Sequence, residues 1–470
     1  MSPGKLLLSG IIFVCFGATL LAQEEPSLET SEKLITQIEP SVLDKQGYAT
    51  SPDGRRFAFL SQADGKKFVV VDGKKQKEYS EIFLTHFSPD SKRLVYRVKE
   101  GNAAFMVIDG EEGKRYAGVY HEMFSPDGKR FAYAAMDNKK RFVVMDGKEE
   151  KRYDDVGNPY SSIPAPLLRF SPDSKHYVYV AYESKGEYVE RRFFVLVVDG
   201  KEEKRCSFVI NPLSLAFSPD GTRFAFAVLD GEKSPVIIVI DRQEQDKSYS
   251  GVHSLVFSPD SKRFAYSAEA GGKEFAVIDG KEERRYDRVG GVVFSPDSKR
   301  VAYLAVKGDK RLVVVDGSEG KGYDEVCSPI FSPDSKRVAY WAKEGGKRFI
   351  VMDGREEKRY DYVGPPVFSH DGKRFAYWAT EDGKSFVVLD GKEEKRYDGI
   401  SRGGHPVFSP GGKHFGYVIF KEKNCFVVLD GKEGKEYDRI FTEIIFDSED
   451  TFHYLALKDG GVYLVENRLR

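Results

Sequence analysis

One ten-residue phrase recurs through this chain at a nearly fixed pitch, and this repetition limits the possible folds more than any other feature. Residues 257–266 read FSPDSKRFAY, and close copies begin at 294, 331 and 368. A period of this length indicates stacked copies of one supersecondary unit. A degenerate eleventh copy lies near Phe446. In the ten clear copies the serine of the SPD-like triplet falls at Ser51, Ser88, Ser125, Ser171, Ser218, Ser258, Ser295, Ser332, Ser369 and Ser409.

Each repeat contains four strand-like segments. In residues 291–327 the segments GVVFSPD, KRVAYLAV and KRLVVVDG are followed by a shorter one in SEGKGYDEV. Aromatic and β-branched residues between turn formers predict strands. SPDS or SPDG is typical of a type I turn, and Asp-Gly after VVV predicts a two-residue hairpin, because glycine tolerates positive φ. Turn formation therefore explains both recurring aspartates better than metal binding or catalysis does.

A repeated four-stranded unit of about 40 residues is typical of a β-propeller blade. Phe264 and Tyr266 should point to one face of their strand and Ala265 to the other. A large face against a small face lets successive sheets nest and bury one another. The sequence therefore predicts an all-β fold, a β-propeller of about eleven four-stranded blades.

The repeat resembles a known family. FSPDGKR followed by FAY and a VVMDG-like strand is similar to the WD40-like (PD40) repeats of TolB-type propellers, over residues 47–470. Related repeats occur in the propellers of prolyl-oligopeptidase-type and tricorn-type peptidases. The resemblance implies the fold and, for the TolB type, partners among cell-envelope proteins. We expect neither a separate domain before the repeats nor a hydrolase domain after them, and the units end in a segment like GKEEKRYD that is more charged than is usual in these families.

Eleven blades exceed the usual four to eight of one ring. We therefore expect two propellers, such as five blades plus six, with one large ring as the alternative. The last unit ends after its third strand, and residues 33–41 (KLITQIEPS) have the character of a strand that could complete it. That pairing would favour a single ring. The expected domains are residues 1–22, 23–45 and 46–470.

The first of these segments has the layout of a secretory signal. Lys5 is followed by an apolar run from Leu6 to Ala22 and then by an acidic stretch. We expect cleavage after Ala22 and a periplasmic or extracellular protein, with an uncleaved anchor as the alternative. No second apolar run of spanning length follows, so no integral membrane segment is expected after signal removal.

Charge and cysteine content exclude several classes of protein. Lys plus Arg (73) nearly equals Asp plus Glu (74), which gives no basic surface for nucleic acid. Without the signal, Cys206, Cys327 and Cys425 remain, and an odd, sparse set is not a disulfide framework. Their spacing matches no zinc motif. We predict neither a metal nor another cofactor.

Two insertions mark a candidate binding face. Extra residues enter at 157–170 (GNPYSSIPAPLLRF) and at 182–194 (YESKGEYVERRFF), on consecutive units and on one face of the predicted propeller. Function often lies in irregular loops on a regular scaffold. Loop drift without function is the alternative. The candidate binding residues are Tyr160, Tyr182, Glu183, Tyr188 and Arg191.

Other residues are weaker candidates. Trp341 and Trp378 occupy matching places in adjacent repeats. We expect them to fill the core between blades, with an aromatic wall for a ligand as the alternative. His86, His121, His253 and His405 lie near the predicted first strands, but they share no spacing that suggests a metal site.

Function is the least determined property. The chain contains no GxSxG, HExxH, Walker-type or GxGxxG motif in a suitable context. We therefore expect an exported, non-enzymatic scaffold that binds a protein or peptide partner in the cell envelope. The alternatives are a propeller hydrolase or lyase that acts on peptide or carbohydrate, and a carbohydrate-binding module.

Overall fold

The structure is a computed structural model, and it describes residues 28–39, 42, 47–157, 168–184, 192–206, 208–209, 215–229, 235–400, 405–421 and 423–470. Within these residues the chain forms eleven antiparallel sheets in sequence order, one for each repeat. We number them as blades 1–11. The all-β architecture predicted from the repeat is therefore confirmed.

The first two strands of each blade carry most of its aromatic residues, and in six blades an irregularity splits the first strand into two pieces. The first strands are Tyr48–Thr50, Glu81–Phe87, Gly118–Phe124, Asp155–Val156 with Arg169–Phe170, Phe208–Val209 with Leu215–Phe217, Gly251–Phe257, Arg288–Phe294, Glu325–Val326 with Ile330–Phe331, Tyr362–Val363 with Val367–Phe368, Gly399–Ile400 with Val407–Phe408, and Arg439–Ile440 with Ile445–Phe446. The second strands are Phe57–Ala63, Leu94–Glu100, Phe131–Asp137, Tyr177–Ser184, Phe224–Leu229, Phe264–Ala270, Val301–Lys307, Val338–Glu344, Phe375–Glu381, Phe415–Lys421 and Thr451–Lys458.

The third strands are mostly aliphatic, and the fourth are short and charged. The third strands are Lys66–Val71, Ala103–Ile108, Lys140–Met145, Arg192–Val198, Val236–Ile240, Lys273–Ile278, Lys310–Val315, Lys347–Met352, Lys384–Leu389, Asn424–Leu429 and Gly461–Leu469. The fourth strands of blades 1–10 are Lys74–Lys75, Glu111–Glu112, Lys148–Glu149, Lys201–Cys206, Gln243–Tyr249, Lys281–Glu282, Ser318–Glu319, Arg355–Glu356, Lys392–Glu393 and Lys432–Glu433. Leu28–Gln37 is the fourth strand of blade 11.

The two recurring aspartates shape turns, as the sequence predicts. In blade 2 the buried Ser88 hydroxyl donates to the Asp90 carboxylate over 2.5 Å and accepts the N–H of Arg93 over 3.0 Å. In the hairpin between the third and fourth strands, Asp109 and Gly110 have φ of 54° and 87°. Two positive φ values in succession define the type I′ hairpin turn, which suits the twist of the flanking strands.

Blades bury one another's faces by placing large residues against small ones. Tyr266 of blade 6 packs in one cluster with Ala225 and Ile238 of blade 5. On the opposite face of the same strand, Ala265 joins a cluster with Tyr303 of blade 7. The predicted alternation is confirmed. Because burial of an aromatic or aliphatic side chain contributes roughly 1.5–3 kcal/mol, these clusters supply most of the cohesion.

A hydrogen bond near the outer rim also joins successive blades. A buried tyrosine after the fourth strand donates to a glutamate in the fourth strand of the next blade, with O–O distances of 2.6–3.2 Å. We call this contact the tyrosine–glutamate tie. Its pairs are Tyr79–Glu112, Tyr116–Glu149, Tyr153–Glu202, Tyr286–Glu319, Tyr323–Glu356, Tyr360–Glu393, Tyr397–Glu433 and Tyr437–Glu32.

An arginine at the start of the second strand makes another such contact. Arg300, for example, pairs with Asp316 of its own blade over 2.9 Å and donates to the Lys336 carbonyl of the next blade over 2.9 Å. Its guanidinium also lies 5.3 Å from the ring centre of Phe331. We call the bond to the next carbonyl the arginine tie. Its donors are Arg56, Arg93, Arg130, Arg223, Arg263, Arg300, Arg337 and Arg374.

The two ends of the repeat array meet in blade 11. Leu28–Gln37 pairs antiparallel with Gly461–Leu469 and supplies the missing fourth strand. Glu32 accepts bonds from Lys435 and Tyr437, as the glutamate of an ordinary repeat does. The predicted role of the N-terminal segment is confirmed, although the strand begins at Leu28, before the predicted residue 33.

The blades form one ring, and the preferred division into two propellers is not confirmed. Leu455 and Leu464 of blade 11 share a buried cluster with Phe57 and Phe59 of blade 1. His453 Nε2 also lies 2.7 Å from the Asp53 carbonyl across this junction. At the junction of blades 5 and 6, where a split of five plus six would fall, the faces are buried against each other as elsewhere. A split would expose these faces to water.

Candidate functional site

The first strands form the inner wall of the ring. Successive first strands contact one another in blades 1–2, 5–6 and 6–7. In most blades the residue two places before the turn serine is aliphatic and partly exposed; we call it the wall position. From blade 1 to blade 11 it is Ala49, His86, Met123, Arg169, Ala216, Val256, Val293, Ile330, Val367, Val407 and Ile445. Blade 4 alone places an arginine there.

A cavity of about 450 Å³ opens on this wall where blades 4–7 meet. Because first strands or the turns that follow them provide its whole lining, it faces the centre of the ring. We call it the wall cavity. Arg169 is its one ionisable lining residue among those described. The lining residues are Arg169, Phe170, Pro172, Leu215, Ala216, Phe217, Ser254, Leu255, Val256 and Val292.

Arg169 is a cation without a neighbouring anion in the described part of the chain. One Nη1 N–H donates to the Leu215 carbonyl over 2.9 Å. Burial alone lowers the pKa of Arg169, and no described carboxylate offsets this effect. The adjoining segments 158–167 and 207–214 contain no Asp or Glu in the sequence. A partly desolvated guanidinium of this kind favours a carboxylate or a similar anion.

Apart from Arg169 and the Ser254 hydroxyl, the side chains that line the wall cavity are apolar. Leu215, Leu255 and Val292 form a floor, and each is less than 8% exposed. Ligand sites typically combine such an apolar lining with a few polar groups that fix orientation. The arrangement therefore suits a molecule that carries an aliphatic group beside one negative charge.

Two junctions at this cavity lack ties that the repeat provides elsewhere. Between blades 4 and 5, Cys206 replaces the tyrosine and His176 replaces the arginine. His176 Nδ1 contacts Asp199 of its own blade over 2.7 Å. Between blades 5 and 6, Tyr249 lies 3.5 Å from the hydroxyl of Tyr266 and does not form a tie with a glutamate among the described residues. The wall cavity therefore lies where the repeat is least regular.

The binding residues predicted from the insertions are only partly described. Tyr160, Tyr188 and Arg191 lie outside the described residues. The Tyr182 hydroxyl donates to Asp155 of its own blade over 3.1 Å. Glu183 accepts from Lys151 and Arg205, both over 3.3 Å, in an ion-pair network of the blade surface. Neither Tyr182 nor Glu183 lines the wall cavity, and their role in binding stays a prediction.

The two tryptophans belong to a continuous stack between blades 8 and 9. The Arg348 guanidinium lies 4.6 Å from the ring centre of Trp341 and 4.3 Å from that of Tyr362. Tyr362 in turn stacks on Trp378 at 4.7 Å. Trp341 also packs against the buried cluster between these blades. Tyr362 therefore contacts both Arg348 and Trp378, although 39% of it is exposed.

Two further cavities have different chemistry. One of about 500 Å³ lies beside the closing strand, where Arg55 pairs with Asp447 and Glu466 at 2.9 Å each. Another of about 390 Å³ lies between blades 2 and 3, where Arg97 donates to the Val119 carbonyl over 3.3 Å. Arg97 resembles Arg169 in this bond but lies on a second strand and not at a wall position, which makes it a useful control.

Among the described residues, no three His, Cys, Asp or Glu side chains are grouped so that they could hold a metal ion. No helix in the described ranges combines the length and hydropathy needed to cross a bilayer.

The known proteins that resemble this chain do so only distantly. No protein-family profile matches the chain, and no curated protein is similar to it in sequence. A eukaryotic initiation factor has 12% identity and a TM-score of 0.41, covering 73% of this chain and 96% of its own. TolB from Acinetobacter baumannii has 14% identity and a TM-score of 0.26, covering 62% and 81%. The propeller domain of the Trilobed protease from Pyrococcus furiosus has 12% identity and a TM-score of 0.28. The match covers 62% of this chain and 96% of that domain. These similarities concern the β-propeller fold alone.

Proposed function

We propose that the protein is an exported, non-enzymatic propeller scaffold of the TolB type, which binds a protein or peptide partner of the cell envelope at the inner wall of its ring. The observation that carries this proposal is the wall cavity with Arg169. The wall position is otherwise filled by aliphatic residues and one histidine. A charged residue at a single copy of a packing position indicates a role beyond packing.

The charge distribution supports the choice of a binding function over catalysis. General acid–base chemistry needs titratable groups that meet around one reacting atom. In the described lining of the wall cavity, Arg169 alone can carry charge. The recurring carboxylates elsewhere hold turns and blade junctions, as Asp90 and Glu319 do.

The export part of the proposal depends on the N-terminal sequence. Lys5 and the apolar run from Leu6 to Ala22 are typical of a secretory signal. Fractionation of cells that express the full chain, with and without residues 1–22, tests this part. We expect the full chain in the exported fraction and the truncated chain in the cytosol. Equal distribution of the two would contradict export.

Site-specific photo-crosslinking tests the binding part. A photoreactive residue at Val256 reports on the inner wall, and the same residue at the exposed Lys281 of blade 6 is the matched control on the outer rim. We expect discrete protein adducts from Val256, lost when Arg169→Val is added, and none from Lys281. If Val256 gives no adduct in intact cells, or the same adducts as Lys281, the wall does not bind a partner.

A further inference from the structure

We infer that the wall cavity recognises the C-terminal end of a polypeptide, with the terminal carboxylate on Arg169 and an aliphatic last side chain on the floor. This inference rests on the proposed function, because it specifies what the inner wall binds. It follows from the charge of Arg169, from the edge of its guanidinium that has no acceptor among the described residues, and from the aliphatic side chains beside it.

The guanidinium is arranged to receive a planar anion. Nη1 is committed to the Leu215 carbonyl, and among the described residues the Nε and Nη2 groups have no acceptor. Nε and Nη2 lie on one edge of a guanidinium and match both oxygens of a carboxylate. Since the guanidinium is already partly desolvated, a carboxylate restores hydrogen bonds that the lining does not provide.

The lining favours a chain end over a chain that continues. An extended segment that passed through would bring several peptide N–H and C=O groups against Leu215, Leu255 and Val292. Besides Arg169, the side chains of the lining offer only the Ser254 hydroxyl as a partner. Burying unpaired peptide groups is costly. At a C-terminus the chain stops, and its last polar group is the carboxylate that Arg169 can bind. The aliphatic side chain of the last residue branches from the same Cα atom as this carboxylate and can fill the floor.

A purely structural role for Arg169 makes a different prediction. In that case the bond to Leu215 would replace the arginine tie that is missing between blades 4 and 5, and its loss would weaken the ring. Four other blades carry valine at the wall position: Val256, Val293, Val367 and Val407. Arg169→Val therefore suits the fold, and we expect the variant to unfold within a few degrees of the parent.

The test uses the full chain and three dye-labelled hexapeptides measured by fluorescence anisotropy. One ends in Ala-Val-Leu with a free carboxylate, one is its C-terminal amide, and one is an amide that carries an internal glutamate. We expect the free acid to bind at least about tenfold more tightly than either amide, because a charge-assisted bidentate contact is lost. Arg169→Val should abolish that preference, whereas Arg97→Val, the matched loss of a guanidinium outside the wall, should retain it.

A second variant keeps the test decisive if Arg169→Val fails to fold. Ala216→Glu places a carboxylate at the neighbouring wall position, which is partly exposed. It should pair with Arg169 and weaken binding of the free acid by about tenfold without lowering the unfolding temperature. Unchanged binding by this variant would overturn the inference.

The remaining outcomes separate the two proposals. If the free acid and its amide bind equally, carboxylate recognition is wrong, while adducts at Val256 would still support a binding wall. If the amide peptide with the internal glutamate binds as tightly as the free-acid peptide, the site binds an acidic side chain. The inference that it recognises a C-terminus is then wrong. If no peptide binds and Val256 gives no adduct, both proposals are wrong.

Discussion

Blades 7 and 8 meet differently from blades 4 and 5, although the same repeat builds both junctions. At the first, Tyr323 donates to Glu356 and Arg300 donates to the Lys336 carbonyl. At the second, Cys206 and His176 occupy the corresponding places. His176 contacts Asp199 of its own blade, and the ion pairs Lys204–Glu244 and Arg242–Glu203 bridge the two blades.

The difference shows which contacts between blades are present at both junctions and which are present at only one. The buried clusters persist at both junctions, with Val180 and Phe226 across blades 4 and 5, and Tyr340 across blades 7 and 8. Hydrophobic nesting therefore defines the ring, and the polar ties adjust its local strength. The junction at which Cys206 and His176 replace the tyrosine and the arginine borders the wall cavity.

The largest effect should come from removing the closing strand. Deletion of residues 28–37 leaves Gly461–Leu469 without its outer partner and exposes the cluster between blades 11 and 1. We expect the thermal midpoint to fall by about 10 °C or more and unfolding to lose cooperativity, since a repeat array then frays from its ends. Calorimetry measures both. Glu32→Gln, which removes one charge from the same strand, should lower the midpoint far less. A deletion as stable as the parent would mean that the ring does not depend on this strand.

Removing an arginine tie should have a smaller effect that depends on the junction. Arg300→Ala loses a bond to a carbonyl, an ion pair and a contact with Phe331, so we expect a loss of about 1–2 kcal/mol in the free energy of unfolding. His176→Ala, at the junction without this tie, should lose about 0.5 kcal/mol or less. Urea unfolding compares the two. Equal losses would show that the tie does not distinguish the junctions.

Removing a single tyrosine hydroxyl should also distinguish a junction that has the tyrosine–glutamate tie from one that does not. Tyr360→Phe breaks its bond to Glu393 and should lower the free energy of unfolding by about 1 kcal/mol. Tyr249→Phe removes a hydroxyl that has no glutamate partner among the described residues and should be nearly neutral. Both substitutions preserve the buried ring, so each is the other's control. A larger loss for Tyr249→Phe would contradict the assignment of ties.

Acid should weaken the tied junctions first. A bond from Arg284 lowers the pKa of Glu319 to about 2, from an ordinary value of 4.5. Because the folded pKa is the lower one, this contribution is fully present above pH 4.5 and is lost as pH falls toward 2. We expect Glu319→Gln to flatten the decline in unfolding midpoint across that window. Glu111→Gln, at an exposed glutamate outside the ties, should leave the decline unchanged.

Much of the fold could be predicted from the sequence because each blade is specified locally. SPD and Asp-Gly turns fix the hairpins, and the alternation at Phe264, Ala265 and Tyr266 fixes the packing faces. The number of blades in the ring could not be predicted in the same way. It depends on the small angle between neighbouring sheets, which no single repeat encodes. An array of eleven repeats has the same sequence pattern whether it closes as one ring or as two.

The candidate site was less accessible to sequence analysis. The insertions drew attention to Tyr182 and Glu183, and the structure places Tyr182 in a contact within blade 4 and Glu183 in an ion pair with Lys151 of blade 3. Arg169 was visible as the one arginine when the wall positions are aligned, but its importance depends on knowing that this position lies on the inner wall. Four blades contribute to the cavity, and residues so far apart in sequence share no motif.

The pairing of Leu28–Gln37 with Gly461–Leu469 has a consequence for biosynthesis. The earliest strand must wait, without its partner, until the ribosome has made almost the whole polypeptide. Ring closure therefore follows synthesis of the last blade, and until then the nascent chain is an open array of blades.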